Sequence, residues 1–311
     1  MSDGEKSNPL VWLPFSVDHI EGAPAGLRYE SWLVEDGDEL PGWLEEVEFY
    51  VPAYMSPVPH ADLIARMPAL KVVQTLTAGV DDIRSAVPAG VTLCNGRGIH
   101  NASTAELAVT LTLASLRGIP DFVRTQDTGT WRPKVLPSLA DRSVLIVGYG
   151  EIGAAIEARL AGFECEVVRV ARTPRLGVHG LAELPALLPE ADVVILIVPI
   201  TDETRGMVDA GFLARMRDGA LLVNVARGAV VDTGALVEAL ATGRISAALD
   251  VTDPEPLPEG HPLWAAPNLL LTPHVGGASS AMWPRAYRVV REQLERFATG
   301  QPLANVMDGP Y

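Results

Sequence analysis

The sequence predicts an α/β protein built from doubly wound parallel sheets. The first observation is a regular succession of apolar strands between residues 142 and 274, separated by helical or loop segments. The second is that these strands are continuous apolar runs, such as VVILIV and ALLVNVA, and do not alternate with polar residues. Strands of that kind belong to parallel sheets with helices on both faces. A chain of 311 residues has room for about two such domains.

Short apolar runs in the first hundred residues predict the strands of a small α/β domain. The predicted strands are residues 10–15, 47–54, 71–78 and 91–95, separated by Pro, Gly and acidic segments. Residues 1–8 are predicted to form a loose tail. A long helix is expected after the four predicted strands, capped at Ser103 and Thr104 with Glu106 close behind. It would carry the chain into the second domain.

The strands of the second domain follow one another at short intervals. They are predicted at residues 143–148, 165–170, 191–198, 220–226, 246–251 and 269–274. The segment SSAMWPRAYRVVREQLERFATG then has helical spacing, tolerates Pro284 near its start and ends at Gly300. This helix could return the chain to the first domain. We therefore expect a discontinuous domain of residues 1–100 and 281–311, and a second domain of residues 101–280.

Composition excludes several classes of function. The formal net charge of −15 would repel a phosphate backbone, so nucleic-acid binding is not expected. The two cysteines, Cys94 and Cys165, each lie in an apolar run and are expected to be reduced core thiols, which fits the cytoplasm. The N-terminus lacks the pattern of a secretory signal, and no apolar run reaches the ~18 residues of a membrane span.

A glycine-rich turn predicts a dinucleotide site. Gly148, Gly150 and Gly153 stand in GYGEIG, which follows an apolar strand and opens an Ala-rich helix. The first glycine allows the tight turn, the second lets the backbone approach the pyrophosphate, and the third lets helix and strand pack closely. The positive end of the helix would attract the phosphates. The second domain is thus predicted to be a Rossmann-type cofactor domain.

The end of the second strand of this domain bears on the choice of nicotinamide cofactor. An acidic side chain there would accept hydrogen bonds from the ribose 2′-hydroxyl of NAD. Ala171, Arg172, Thr173, Pro174 and Arg175 stand there instead, and the two arginines could bind a 2′-phosphate. NADP is therefore the preferred hypothesis. The alternative is NAD, with both arginines as solvated surface residues.

Three polar residues follow strand ends of the same sheet. Arg227 comes after ALLVNVA, Glu255 lies in the loop after AALDV, and His274 ends LLLTPH. Ligands of open α/β sheets bind outside the carboxyl ends of the strands, so all three side chains are expected at one edge. Histidine exchanges a proton near neutral pH, a carboxylate favours its charged form, and arginine can clamp a carboxylate. The reduction of a 2-oxo acid needs these three groups.

These motifs resemble those of the D-isomer-specific 2-hydroxyacid dehydrogenases. The resemblance rests on GYGEIG, NVARG, the stretch LDVTDPEP and LTPHVGG, which occur in the family's order. It extends to LKVVQTLTAGVDDI and PITDETRGMV, and to a substrate domain formed by both ends of the chain. The resemblance implies two Rossmann-like or flavodoxin-like domains, with the active site in the cleft between them.

By this resemblance, His274 would protonate the carbonyl oxygen of a small 2-oxo acid such as glyoxylate or hydroxypyruvate. Glu255 would keep the histidine charged and oriented, and Arg227 would bind the substrate carboxylate and polarise the carbonyl. Ala78 and Gly79 would help to hold the carboxylate from the first domain. A homodimer is also implied, through the cofactor domain and the helix from Ser103, and no metal is implied.

The resemblance also extends the predicted cofactor site and shows where this chain departs from the family. The additional cofactor residues would be Glu151, Ile152, Pro199, Thr204, Ala226 and Asp250, with Asp250 near the nicotinamide carboxamide. Thr252 stands where an aromatic residue is often found after the Asp-Val pair, which affects the shape of the substrate pocket. Trp131 and Trp283 are expected to pack, although either could approach the substrate.

Two other functions fit the same motifs. A D-3-phosphoglycerate dehydrogenase is the closer alternative, although the first domain shows no distinct phosphate-binding cluster. A binding protein that senses NAD(H), as in corepressors that resemble this family, is the other. A formate dehydrogenase would be expected to have glutamine in place of Glu255. The presence of Arg227, Glu255 and His274 together favours an enzyme acting on the CH–OH group.

Overall fold

A computed structural model describes residues 8–56 and 58–309 of the chain. The predicted tail at residues 1–8 falls almost wholly outside this part. The chain divides into two compact units. One unit contains the described residues up to His100 together with those from Ser280 onward, and the other runs from Asn101 to Ser279. Each contains one sheet of parallel strands, so the predicted α/β class is confirmed.

The first unit has a five-stranded parallel sheet. Its strands are β1 (Leu10–Leu13), β2 (Arg28–Ser31), β3 (Val47–Tyr50), β4 (Val72–Gln74) and β5 (Thr92–Cys94), with the short helix α1 (His60–Ile64) between β3 and β4. Their order in the sheet is β2-β1-β3-β4-β5. This is the flavodoxin-like order, in which the chain changes direction between β1 and β3. Ligands of such sheets bind near that point, beyond the carboxyl ends of the strands.

Both faces of this sheet are covered. On one face, Val11, Leu13 and Phe49 pack against the C-terminal helix, which contributes Val290 and Leu294. On the other, Trp12 stacks on Tyr50 and on Trp32, with ring centroids 4.6 and 5.6 Å apart, and meets the edge of Trp43. Burial of such side chains contributes about 1.5–3 kcal/mol each. The inner strands β1 and β3 are therefore mostly apolar and buried.

The second unit has a seven-stranded parallel sheet in the order β12-β11-β10-β9-β6-β7-β8. Its strands are β6 (Ser143–Val147), β7 (Glu166–Ala171), β8 (His179–Gly180), β9 (Val193–Leu196), β10 (Leu221–Asn224), β11 (Ser246–Leu249) and β12 (Leu269–Leu271). Val144 and Ile146 join the core on one face, whereas Leu145 and Val147 join the core on the other. Successive side chains are thus buried on opposite faces, as a doubly wound sheet requires.

The helices begin and end at recognisable signals. In the second unit they are α2 (Asn101–Leu116), α3 (Ile119–Asp127), α4 (Glu151–Leu160), α5 (Leu184–Leu187), α6 (Ala210–Arg215) and α7 (Thr233–Ala241). Asp209 and Asp232 accept hydrogen bonds from Phe212 N and Ala235 N and so cap α6 and α7. In the first unit α8 (Met282–Thr299) ends at Gly300, as predicted, and this glycine is left-handed with a φ of 67°.

The expected helix start at Ser103 and Thr104 is wrong. Helix α2 begins at Asn101, and both residues are buried inside it. The Ser103 hydroxyl bonds the Ser279 hydroxyl at 2.6 Å, and Thr104 Oγ1 donates to the carbonyl of Gly276 at 3.3 Å. The predicted single long helix is also divided, because Gly118 is left-handed with a φ of 60°. Both hydroxyls therefore tie α2 to the loop that follows His274.

Two strands were not predicted. Strand β2 is an edge strand with the sequence RYES, three of whose four residues are exposed, so it has no apolar run to reveal it. Strand β8 has only two residues and closes the opposite edge of the other sheet. Both cysteines are free, as expected, with Cys94 buried in β5 and Cys165 half-buried just before β7. Among the described helices, none is long and apolar enough to cross a membrane.

Candidate active site

The glycine turn lies between β6 and α4 and has the geometry of a phosphate cradle. Gly148 has a φ of 111°, and a Cβ atom there would lie 2.4 Å from the carbonyl oxygen of Ile197. A Cβ on Gly153 would lie 2.7 Å from the Gly148 carbonyl, so only glycine permits this approach of helix to strand. Gly150 meets nothing within 4 Å, which leaves open space beside the N-terminus of α4. These residues fit a dinucleotide pyrophosphate.

The remaining predicted cofactor residues follow the carboxyl ends of the neighbouring strands or begin α4. Arg172 and Thr173 are exposed directly after β7, whereas Ala226 is buried after β10. Thr204 is buried and donates from Oγ1 to the carbonyl of Pro199 at 2.6 Å, which fixes the loop after β9. Two further predicted residues begin α4: Glu151 accepts from Asn101 Nδ2 at 3.0 Å, and Ile152 packs against the core.

An arginine beside the glycine turn is held in place by Tyr149. Arg175 Nη2 donates to the carbonyl of Tyr149 at 2.8 Å, and its guanidinium carbon lies 5.8 Å from the tyrosine ring centroid. Arg169 lies 5.6 Å from the same centroid and binds Glu157, which also accepts from the tyrosine hydroxyl. Sequence reasoning missed Tyr149, since it occupies a variable position of the glycine motif.

Arg227, Glu255 and His274 come together at the carboxyl edge of the second sheet. His274 Nδ1 lies 2.5 Å from Glu255 Oε1. The Glu255 hydrogen bond raises the pKa of His274, against burial and the positive charge of Arg227, which lower it. Burial alone would raise the pKa of Glu255, but its bond with His274 and the charges of His274 and Arg227 together lower it. His274 therefore stays an imidazolium to a higher pH, and Glu255 stays a carboxylate to a lower pH, than either group would without the other.

The loop that carries His274 is anchored by Asp250, which is 3% exposed. The two carboxylate oxygens accept from Val275 N and Gly276 N at 2.9 and 2.8 Å, and Oδ1 also accepts from Thr272 Oγ1 at 2.6 Å. His274 itself has a φ of 53°, in the left-handed region that non-glycine residues seldom adopt. A buried carboxylate thus stabilises an unfavourable backbone conformation at the histidine.

Two residues that the sequence did not reveal position Arg227. Asn224 is 1% exposed; its Nδ2 donates to the carbonyl of Arg227, and its Oδ1 accepts from Ala226 N, both at 3.0 Å. Gly228 lies against the next loop, since a Cβ there would lie 1.9 Å from the carbonyl oxygen of Thr252. The polar Asn224 within the apolar run ALLVNVA was the available signal. Together these residues bring the Arg227 loop against the loop of Glu255.

Comparison with known proteins identifies the family. The family model described as "D-isomer specific 2-hydroxyacid dehydrogenase, NAD binding domain" matches residues 109–276. This chain belongs to that family. It is therefore an NAD(P)-dependent oxidoreductase acting on a CH–OH group, and the resemblance found in the sequence is confirmed.

Individual family members are similar over much of the chain. A glyoxylate reductase of Aeropyrum pernix is 34% identical over 265 residues, which cover 79% of each protein. A D-3-phosphoglycerate dehydrogenase of Archaeoglobus fulgidus is 33% identical over 80% of this chain but only 49% of its own length. A D-isomer specific 2-hydroxyacid dehydrogenase of Xanthobacter autotrophicus, solved with NADPH, has a TM-score of 0.80 at 35% identity, covering 97% of this chain and 98% of that one.

The predicted residues of the first unit follow β4. Ala78 and Gly79 are half-buried, and Asn95 Nδ2 donates to the carbonyl of Ala78 at 2.9 Å. Thr77 Oγ1 donates to the carbonyl of Gly79 at 2.7 Å. Trp283 packs with Phe15 and Tyr287, whereas Trp131 is 94% exposed. Within residues 8–56 and 58–309, no cluster of histidine, cysteine and acidic side chains could hold a metal ion.

Proposed function

We propose that the protein reduces a small 2-oxo acid, such as glyoxylate or hydroxypyruvate, to the D-2-hydroxy acid. The observation that carries this proposal is the 2.5 Å contact of His274 with Glu255, together with the effect of the Arg227 charge on both pKa values. The glyoxylate reductase among the relatives supports the substrate class. A bound nicotinamide would supply the hydride.

The side chains have separate tasks in this reaction. Because Nδ1 of His274 faces Glu255, the proton would leave from Nε2 to the substrate oxygen. Glu255 favours the imidazolium form and fixes the orientation of the ring. Arg227 would bind the carboxylate and stabilise the negative charge that develops on the oxygen. Ala78 and Gly79 would hold the same carboxylate through their backbone.

The substitution His274→Gln tests the proton donor. General acid catalysis contributes about 10²–10⁴-fold, so we expect kcat for glyoxylate or hydroxypyruvate to fall by at least about 100-fold. Cofactor affinity, measured by titration of protein fluorescence, should stay within about twofold, because a proton donor acts on substrate. His179→Gln, an exposed histidine paired with Glu183, serves as the control. A near-normal kcat for His274→Gln would remove the assignment.

We further infer that the cofactor is NADP. Arg172 and Arg175 stand where NAD-dependent proteins are expected to place an acidic residue, and Tyr149 holds the guanidinium of Arg175 beside the glycine turn. Such preorganisation reduces the entropy lost when a phosphate is bound. The Xanthobacter relative was solved with NADPH. Gly148, Gly150 and Gly153 would hold the pyrophosphate, while Thr173, Pro199, Thr204, Ala226 and Asp250 would line the remaining cofactor site.

Binding measurements test the cofactor separately from activity. A charge-assisted hydrogen bond contributes about 1.5–3 kcal/mol, so Arg175→Ala should weaken NADPH binding about 10- to 100-fold and leave NADH nearly unchanged. Arg215→Ala, an arginine of α6 that bonds its own helix, is the matched control. Calorimetric titration gives both dissociation constants. If the wild-type protein binds NADH more tightly than NADPH, the inference is wrong.

We also infer a homodimer in the cytoplasm. Ile119, Val123, Trp131 and Val135 expose 48, 52, 94 and 103% of their surface on α3 and the segment after it. Apolar side chains exposed together are typical of association surfaces. The cytoplasmic location is supported separately, because the two free thiols fit a reducing compartment. Light scattering should give twice the mass of 33.2 kDa for one chain, and Trp131→Glu with Val135→Glu should yield the monomer. A monomeric wild-type protein would contradict the dimer.

A further inference from the structure

The first unit contains a cavity of about 130 Å³ at the carboxyl ends of β3 and β4. Its walls are residues 52–56 and 75–77, with His60, Asp82 and Ile83. Strand β3 is one of the two strands at which the chain changes direction, where open α/β sheets bind ligands. A single water needs about 10–15 Å³, so the cavity has room for a substituent of several heavy atoms.

The serine and threonine hydroxyl groups in its wall have already used their hydrogen atoms. Thr75 Oγ1 donates to the carbonyl of Thr77 at 2.8 Å, and Thr77 Oγ1 donates to that of Gly79 at 2.7 Å. Ser56 Oγ donates to the carbonyl of Val58 at 3.1 Å. A hydroxyl group has one hydrogen, so these oxygens can only accept further bonds. The carboxylate of Asp82 is also an acceptor. The wall is therefore rich in acceptors.

Positive charge is absent from the described residues that line this cavity, which include no lysine or arginine. His60 does not supply it, because burial lowers the pKa of its imidazole, although the nearby carboxylate of Asp82 opposes that shift. The Nδ1 atom of His60 is buried without a hydrogen-bond partner. A phosphate or a second carboxylate in this cavity would therefore meet acceptors and the charge of Asp82, with no cation to compensate.

We propose that this cavity receives C3 of the 2-oxo acid together with its substituent, and that it selects a hydroxymethyl group over a methyl or a phosphorylated hydroxymethyl group. The proposal rests on the proposed function, in which the backbone of Ala78 and Gly79 holds the substrate carboxylate. Thr77, in the cavity wall, immediately precedes Ala78 in the chain. A hydroxyl donates to the acceptors of the wall, a methyl leaves them unpaired, and a phosphate brings further acceptors and negative charge.

Four substrates test the proposal in the wild-type protein. Steady-state kcat/KM is measured with glyoxylate, pyruvate, hydroxypyruvate and 3-phosphonooxypyruvate. Their carbonyl carbon carries a hydrogen, a methyl, a hydroxymethyl and a phosphorylated hydroxymethyl group, respectively. We expect kcat/KM for hydroxypyruvate to exceed that for pyruvate by about tenfold, which is the effect of one hydrogen bond to a charged group. It should exceed kcat/KM for the phosphorylated acid by a larger factor. Equal values for pyruvate and hydroxypyruvate, or a preference for the phosphorylated acid, would overturn the proposal.

The variant Asp82→Asn tests the acceptor in the wall. We expect the ratio of kcat/KM for hydroxypyruvate to that for pyruvate to fall about five- to tenfold, mainly through KM. Asp81→Asn changes the neighbouring carboxylate, which does not line the cavity, and should keep the wild-type ratio. Asp82→Lys should raise the relative activity with 3-phosphonooxypyruvate by placing a cation in the wall. Should both asparagine variants keep the wild-type ratio, the cavity does not select the substituent.

The outcomes separate this proposal from the proposed function. If the wild-type protein reduces none of the four acids with NADPH or NADH, the proposed function itself is wrong and the cavity loses its assigned role. If glyoxylate and pyruvate are reduced without a preference for hydroxypyruvate, the reductase stands and only the role of the cavity is wrong. Thermal unfolding of each variant shows whether a changed ratio comes from a folded protein.

Discussion

The contact between His274 and Glu255 predicts how the enzyme responds to pH. In the wild type the bond to Glu255 raises the pKa of His274, so the proposed proton donor stays charged to a higher pH than an isolated histidine. Glu255→Gln removes the negative charge and lowers that pKa. Below both pKa values the histidine is protonated in either protein. Above them the variant has the smaller protonated fraction, so its reductase activity falls further behind as the pH rises.

The size of this effect follows from the geometry of the pair. A charge-assisted hydrogen bond contributes about 1.5–3 kcal/mol. His274 and Glu255 expose 43 and 41% of their side chains, so solvent screens part of that energy. With about 1 kcal/mol remaining, the protonated fraction above the pKa falls about fivefold. We therefore expect kcat/KM of Glu255→Gln to be near the wild-type value at low pH and about fivefold lower at high pH.

The assay is the pH profile of kcat/KM for the reduction of glyoxylate, which reports the free enzyme. Glu259→Gln removes another exposed carboxylate from the same loop and should reproduce the wild-type profile. A purely structural role of Glu255 would lower kcat/KM by the same factor at every pH. Such a parallel profile, or a profile of Glu255→Gln displaced toward higher pH, would refute the argument.

Two further substitutions probe the loops that position these residues. Asp250→Asn leaves one acceptor oxygen for three donors. It should therefore lower the free energy of unfolding, measured in urea, by about 1–3 kcal/mol. The control Asp127→Asn, at the exposed end of α3, should leave that free energy unchanged. Gly228→Ala places a Cβ 1.9 Å from the Thr252 carbonyl oxygen and should cost about 1–3 kcal/mol and reduce kcat/KM. The control Gly234→Ala in α7 should leave the free energy of unfolding unchanged or raise it by about 0.5–1 kcal/mol. Equal melting temperatures for the two glycine variants would contradict the close approach at Gly228.

Much of the fold could be predicted because buried strands consist of apolar residues, which are visible in the sequence. The strands of the second unit are buried on both faces, so they appear as uninterrupted apolar runs, and each predicted strand there overlaps an observed one. Strand β2 has no apolar run, because an edge strand with three exposed residues has the composition of a loop. The expected cap at Ser103 and Thr104 failed because their hydroxyls bond Ser279 and Gly276, contacts about 170 residues away along the chain.

The candidate site shows the same division between local and distant information. Arg227, Glu255 and His274 were predicted because each follows a strand end in a recognisable motif, and the structure brings these three together. The need for glycine at position 228 depends on the backbone of Thr252, which belongs to another loop. The support that Asp250 gives to residues 275 and 276 also joins separate strands. Such contacts depend on sheet order, which local sequence does not contain.

The hydrogen-bond register of three neighbouring strands sets the spacing of Arg227 and His274. Asn224, Leu249 and Leu271 are paired across β10, β11 and β12, and Arg227 and His274 each stand three residues beyond the paired position on their strands. Adjacent strands lie about 4.8 Å apart, so the two outer strands are about 10 Å apart. A slip of one residue in either pairing would displace its group by about 3.3 Å along the strand. The helices between these strands can change in length without altering that spacing, as long as the pairing is kept.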